Sequence, residues 1–117
     1  MEKDENRIRE VIGVFQGIDQ LAGFARERSG WGDSDGGFGV IYPEDLDEYQ
    51  REVEKLCIPD GQVEVYGFWG PPNGYQFLAM ERFYLEILAS MLESLGQRDS
   101  AQEVRELIPH CPTAPLA

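Results

Sequence analysis

The chain is short of the residues on which most catalytic and metal-binding chemistry depends. One histidine and two cysteines occur among 117 residues. The histidine, His110, stands between Pro109 and Cys111 in a proline-rich stretch, 109–117, expected to be a mobile tail, where nothing holds an imidazole against a nucleophile. A hydrolytic triad is therefore not expected. Cys57 and Cys111 belong to no C-x-x-C pair, and His110 with Cys111 supplies two ligands where a structural zinc takes four. Neither a metal site nor a disulfide framework follows. Basic residues are also scarce, 10 Lys and Arg against 22 Asp and Glu, for a net charge of -12. That field repels phosphate backbones and anionic lipid headgroups, so nucleic acid and membrane surfaces are poor partners. No apolar run approaches the roughly 18 residues of a membrane span. The opening Met1 to Asn6 has neither the basic start nor the apolar core of a signal peptide, and a cytoplasmic protein is expected. No G-x-x-x-x-G-K-S/T is present, and glycines 30, 32, 36, 37 and 39 precede a strand-like run without a nearby lysine, so no nucleotide cofactor is expected.

What remains is ordinary globular composition, with 42% hydrophobic and 27% charged residues, enough for one core and a single domain over 1–117. Ile8, Val11, Ile12, Phe15, Ile18, Leu21, Ala22 and Ala25 recur at helical spacing over residues 5 to 28. Gly13, Gly17 and Gly23 weaken that helix, so either a neighbouring backbone packs closely there or the segment is broken. Residues 29–37 have loop composition, and Phe38 to Tyr42 has the length and character of a strand. Behind Pro43, the spacing of Leu46, Tyr49, Val53 and Leu56 predicts a helix over about 44–57. The alternation in QVEVYGFW from Gln62 predicts a strand, and the GPPNG run at 70–74 turns it into a hairpin with Tyr75 to Met80. Tyr84, Leu85, Leu88, Met91, Leu92 and Leu95 form a helical stripe closed by Gly96, and Asp99 or Ser100 caps a last helix that buries Ala101, Val104, Leu107 and Ile108. The expected fold is α+β: a small antiparallel sheet of at least three strands, including a hairpin, packed with about four helices.

Charge is unevenly distributed. Between Arg28 and Arg51 there is no basic residue, whereas Asp33, Asp35, Glu44, Asp45, Asp47 and Glu48 all fall there. On the predicted 44–57 helix, Asp45, Glu48 and Glu52 share one outward face opposite Leu46, Tyr49 and Val53. Asp33-Ser34-Asp35-Gly36 has the start of a calcium loop, but glycine replaces the third oxygen ligand and Glu44 is the right place for the bidentate glutamate only if the loop ran straight through FGVIY, so an ordinary loop is expected. Paired carboxylates for acid–base work are always conceivable at this composition, yet nothing singles out any two, and no catalytic residue is assigned. Two tryptophans offer anchors. Trp69 shares a face with Val63 and Val65, which leaves core and interface both open, while Trp31 has no apolar periodicity around it and is the better binding candidate. Partner contacts are thus expected at Trp31, Asp33, Asp35, Asp45, Glu48 and Glu52.

In overall design, an acidic single domain with an acidic helix and an aromatic hairpin, the chain resembles the bacterial immunity proteins of polymorphic or contact-dependent toxin systems. The resemblance implies a non-enzymatic antidote that neutralises a basic toxin domain, such as a nuclease, by stoichiometric binding through an acidic surface. The alternative is a small structural or regulatory subunit docking on a larger assembly through the apolar face of the 81–95 helix, where Phe83 falls outside the inward stripe.

Overall fold

Alternation and helical periodicity place most elements where they are expected. The computed structural model describes residues 2–15, 17–33, 37–55, 57–68 and 74–110. The first periodic segment forms two helices, α1 (Glu2–Val14) and α2 (Leu21–Glu27), joined through a 3-10 turn at Ile18–Gln20. The break falls at Gly17, and Ile8, Val11 and Ile12 of α1 and Leu21, Ala22 and Ala25 of α2 still bury one common stripe. A poor helix former costs little where the chain must turn, so the glycine marks the break.

Strand β1 (Trp31–Asp33) arises inside the stretch expected to be loop, and it pairs antiparallel with β2 (Phe38–Ile41), Trp31 opposite Val40 and Gly32 opposite Gly39. Three residues with one apolar side chain carry no alternation signal, so only the pairing reveals this strand. β3 (Gln62–Gly67) and β4 (Tyr75–Met80) complete a four-stranded antiparallel sheet in the order β1-β2-β3-β4, with β3 and β4 as the hairpin. The protein is accordingly of the α+β class, with one strand beyond the three read from the sequence.

The helix predicted over 44–57 does not form as one piece. A 3-10 turn at Pro43–Asp45 is followed by Leu46 in extended conformation (φ -76°, ψ 127°), and α3 spans only Glu48–Glu52. Asp47 starts α3 afresh: its carboxylate accepts from the Gln50 backbone N–H at 2.8 Å while the Gln50 side chain accepts from the Asp47 N–H at 2.9 Å. This capping box outcompetes continuation of the 3-10 turn. As a result Leu46 is buried but Tyr49 and Val53 are 60% exposed, and Asp45 leaves the row it was expected to share with Glu48 and Glu52. Leu56 lies outside the described residues.

Helix α4 (Glu81–Ser94) is central, with Tyr84, Leu85, Ile87, Leu88, Ala89 and Leu92 buried. Gly96, at φ +82°, ends it as expected: the Gln97 N–H reaches the Leu92 carbonyl at 2.8 Å and the Gly96 N–H the Glu93 carbonyl at 3.0 Å, the two bonds of a left-handed glycine cap. α5 (Arg98–Leu107) buries Ala101 and Val104, begins one residue ahead of Asp99 and packs on α4 and α2. Pro109 and His110 close it in a 3-10 turn with Ile108, and residues 111–117 of the expected tail lie outside the described residues. α1 and α4 lie against the sheet and share one continuous core with Trp31, Phe38, Val40, Tyr42, Val63 and Val65. No helix among the described residues is long and apolar enough to cross a membrane.

Candidate functional site

A sheet with its helices on one side leaves the alternate set of side chains uncovered. Val63, Val65 and Ala79 point into the core, so Glu64, Tyr66, Gln76, Leu78 and Met80 point out, joined by Ile41 of β2. This face is unusually apolar for a solvated one: Leu78 is 44% exposed, Met80 45%, and Phe68, following β3, 58%. Tyr66 and Phe68 rings lie 5.3 Å apart, and with Gly37, Ile41, Glu64 and Gln76 they line a hollow of about 340 Å³. A second hollow of about 400 Å³ continues across Tyr66 to Gly30, Gly32, Val40, Ile41 and Asp45. The glycines make this shape. A Cβ on Gly39 would collide with the Trp31 carbonyl and stand 2.7 Å from the Tyr66 hydroxyl, so the tyrosine ring lies across bare backbone that no side chain could share.

Carboxylates surround these hollows, and none of the four strands carries a lysine or arginine. Glu64 stands on β3 and accepts from the Gln76 amide on β4. Asp33, exposed at the end of β1, and Glu64 both act on the Tyr66 hydroxyl, whose pKa is raised first by its own desolvation and then by these two negative charges. Asp45 lies against Gly30, where its carboxylate accepts from the Tyr42 backbone N–H at 2.7 Å. From Asp45 the chain runs directly into α3, which exposes Glu48 and Glu52 beside Tyr49 and Val53.

The predicted site residues therefore separate. Asp33 and Asp45 meet around Tyr66, Glu48 and Glu52 stand together on α3, and Asp35 and Trp69 lie outside the described residues. Trp31 is corrected. It is 7% exposed, its indole N–H donates to the Tyr84 hydroxyl at 2.8 Å, and its ring packs 4.7 Å from that of Phe15, so it is a core residue and not an exposed anchor. The aromatics on the uncovered face of the sheet, Tyr66 and Phe68, were visible in the alternation of QVEVYGFW. Which of its two faces the helices would cover was not. Phe83, which falls outside the inward stripe of the 81–95 helix, is half-buried and packs against the core.

Sequence reasoning also missed a charged cluster. Arg28, at φ +52°, ends α2 in the left-handed conformation usually left to glycine. That turn aims its guanidinium at Glu81, the first residue of α4, through contacts of 3.0, 3.2 and 3.3 Å, and at Glu44 at 2.5 Å. Glu81 is 1% exposed. The Arg28 pKa is driven upward, foremost by its hydrogen bond to Glu81, against the opposing effect of burial. Tyr42, beneath the guanidinium at 5.7 Å, and Tyr84 are both buried, and desolvation is the first cause raising each pKa. Glu81, Tyr42 and Tyr84 are sealed from substrate-sized molecules, and the cluster ties α2, the 3-10 turn at 43–45 and α4 together. Nothing in the sequence distinguishes Glu81 from the exposed glutamates, because its partner is 53 residues away.

Among the described residues, no three His, Cys, Asp or Glu side chains converge as metal ligands. The chain matches no family model, no curated protein and no solved structure.

Proposed function

We propose that this protein is a stoichiometric inhibitor, an antidote of the immunity-protein kind, that binds a basic protein through the uncovered face of its sheet and the adjoining acidic α3. The observation supporting this reading is the make-up of that face: Ile41, Tyr66, Phe68, Leu78 and Met80 surrounded by Asp33, Asp45 and Glu64, with no cation on any strand. Apolar and aromatic side chains at the centre with charge at the rim is the anatomy of a protein interface. A chain of net charge -12 steers a basic partner to it. Inhibition is then competition, with the acidic rim occupying the basic surface a toxin domain such as a nuclease uses for its substrate. The protein performs no chemistry on this reading and works in the cytoplasm, where such a toxin acts.

The test is affinity capture from the source cell, followed by purification of the captured basic protein and titration with the wild type and two variants, Tyr66→Ala and Asp33→Lys/Glu64→Lys. The expected result is a 1:1 complex that abolishes the partner's activity, an association rate that falls steeply between low and physiological salt, and at least tenfold weaker binding by either variant. Capture of no basic protein, or equal binding by both variants, overturns the proposal.

A further inference from the structure

Strand β4 is the edge of the sheet, and its ladder pattern shows which of its backbone groups are free. The Glu81 N–H bonds the Gly61 carbonyl at 2.8 Å, and Glu81 opposes Gly61 in the register that pairs Met80 with Gln62. Bonding alternates along an antiparallel pair, so Ala79, Phe77 and Tyr75 point their N–H and C=O groups at β3. Those of Met80, Leu78 and Gln76 point outward, and no strand among the described residues pairs with them. Sheet edges of this length are ordinarily blunted by a lysine, a proline or a bulge. β4 has none of these: its sequence is YQFLAM, its register runs unbroken from Gly67↔Tyr75 to Gln62↔Met80, and its outward-facing Leu78 and Met80 are nearly half exposed.

We infer that β4 is a strand-addition site for the β4 of a second copy of this chain, joining two sheets into one of eight strands. The pairing is antiparallel about a two-fold axis at Leu78. Leu78 then opposes its own copy and Gln76 opposes Met80, so the outward N–H and C=O groups of three residues on each strand are all satisfied. Charge limits where two copies can meet, and β4 is such a place. Two chains of net charge -12 repel, and β4 is a six-residue surface strand without a charge in a chain where 27% of residues carry one. The carboxylates that draw a basic partner to the sheet face stand at Asp33, Asp45 and Glu64, on β1, beyond β2 and on β3, and none lies along the outward backbone edge of β4.

Sedimentation equilibrium on the full chain tests this at low and high ionic strength. The expected result is a species of twice the 13.3 kDa chain mass, with self-association strengthening several-fold as salt rises because repulsion is screened. That dependence is opposite in sign to the one expected for a basic partner, so failure here is distinguishable from failure of the inhibitor reading. Leu78→Lys, which sets two like charges directly opposite, should give monomer, with circular dichroism checking that the fold is kept. Independently, in a Cys57→Ser/Cys111→Ser background, Leu78→Cys should form an intermolecular disulfide on oxidation, because directly opposed Cα atoms lie about 5.5 Å apart. Gln76→Cys should not, its two copies being about 14 Å apart in this register. A wild type that stays monomeric at about 100 µM in high salt overturns the proposal, as does a dimer that survives Leu78→Lys or cross-links as readily through Gln76→Cys.

Discussion

Replacing Arg28 by methionine should destabilise this protein more than most single changes, and the reason is Glu81. Its carboxylate is 1% exposed and holds three contacts to the guanidinium, at 3.0 to 3.3 Å. Arg28→Met keeps much of the side-chain volume and the left-handed backbone but leaves a buried charge without its counter-ion. Breaking a buried pair in this way costs about 3–5 kcal/mol. The Arg28 side chain is 27% exposed and water reaches part of the cluster, which places the loss at the lower end, about 3 kcal/mol. For a domain of this length that corresponds to a fall in Tm of about 12 °C. Arg28→Gly loses the same pair but relieves the strained φ of +52°, so it should fall short of the methionine variant by about 1 kcal/mol. The double variant Arg28→Met/Glu81→Met, which removes both charges, should recover to within about 1 kcal/mol of the wild type. Urea unfolding followed by circular dichroism measures all four proteins. An Arg28→Met loss below about 1 kcal/mol, or a double variant as unstable as the single, would refute the claim that Glu81 is desolvated and dependent on Arg28.

Two further predictions concern the buried tyrosines. The Tyr42 hydroxyl is buried without a hydrogen-bond partner among the described residues, whereas that of Tyr84 accepts from the Trp31 indole N–H. Tyr42→Phe should therefore be neutral or stabilising by about 1 kcal/mol and Tyr84→Phe destabilising by about 1–2 kcal/mol in the same unfolding assay, and equal effects would contradict the assignment. Both hydroxyls have folded-state pKa values raised by desolvation, so above pH 10 the unfolded chain loses protons that the folded chain retains. Stability should then decline as pH rises past 10, by about 1.4 kcal/mol per pH unit for each of the two. Absorbance titration at constant temperature should show the Tyr42 and Tyr84 hydroxyls ionising only with unfolding. Ionisation of both with the fold intact would exclude this.

The sequence by itself determined what repeats locally. The stripe of α4 and its Gly96 cap, the alternation of β3, the hairpin to β4 and the α+β class all follow from spacing within a few residues. Net charge is likewise a property of composition alone. What the sequence could not decide depended on contacts between distant residues or on rivalry between nearby ones. Helix 44–57 divides because the Asp47–Gln50 capping box wins over a periodicity that Leu46 and Tyr49 share equally well. Trp31, without apolar neighbours in sequence, enters the core because β2 draws β1 into register and Tyr84 supplies a partner for its indole. Arg28 and Glu81 meet only once α2 and α4 pack. The candidate interface was half legible, since Asp33 and Asp45 could be named from charge. Tyr66, Leu78 and Met80 became part of it only when the helices covered the other side of the sheet, because alternation defines two faces and tertiary packing alone chooses which one is left to water.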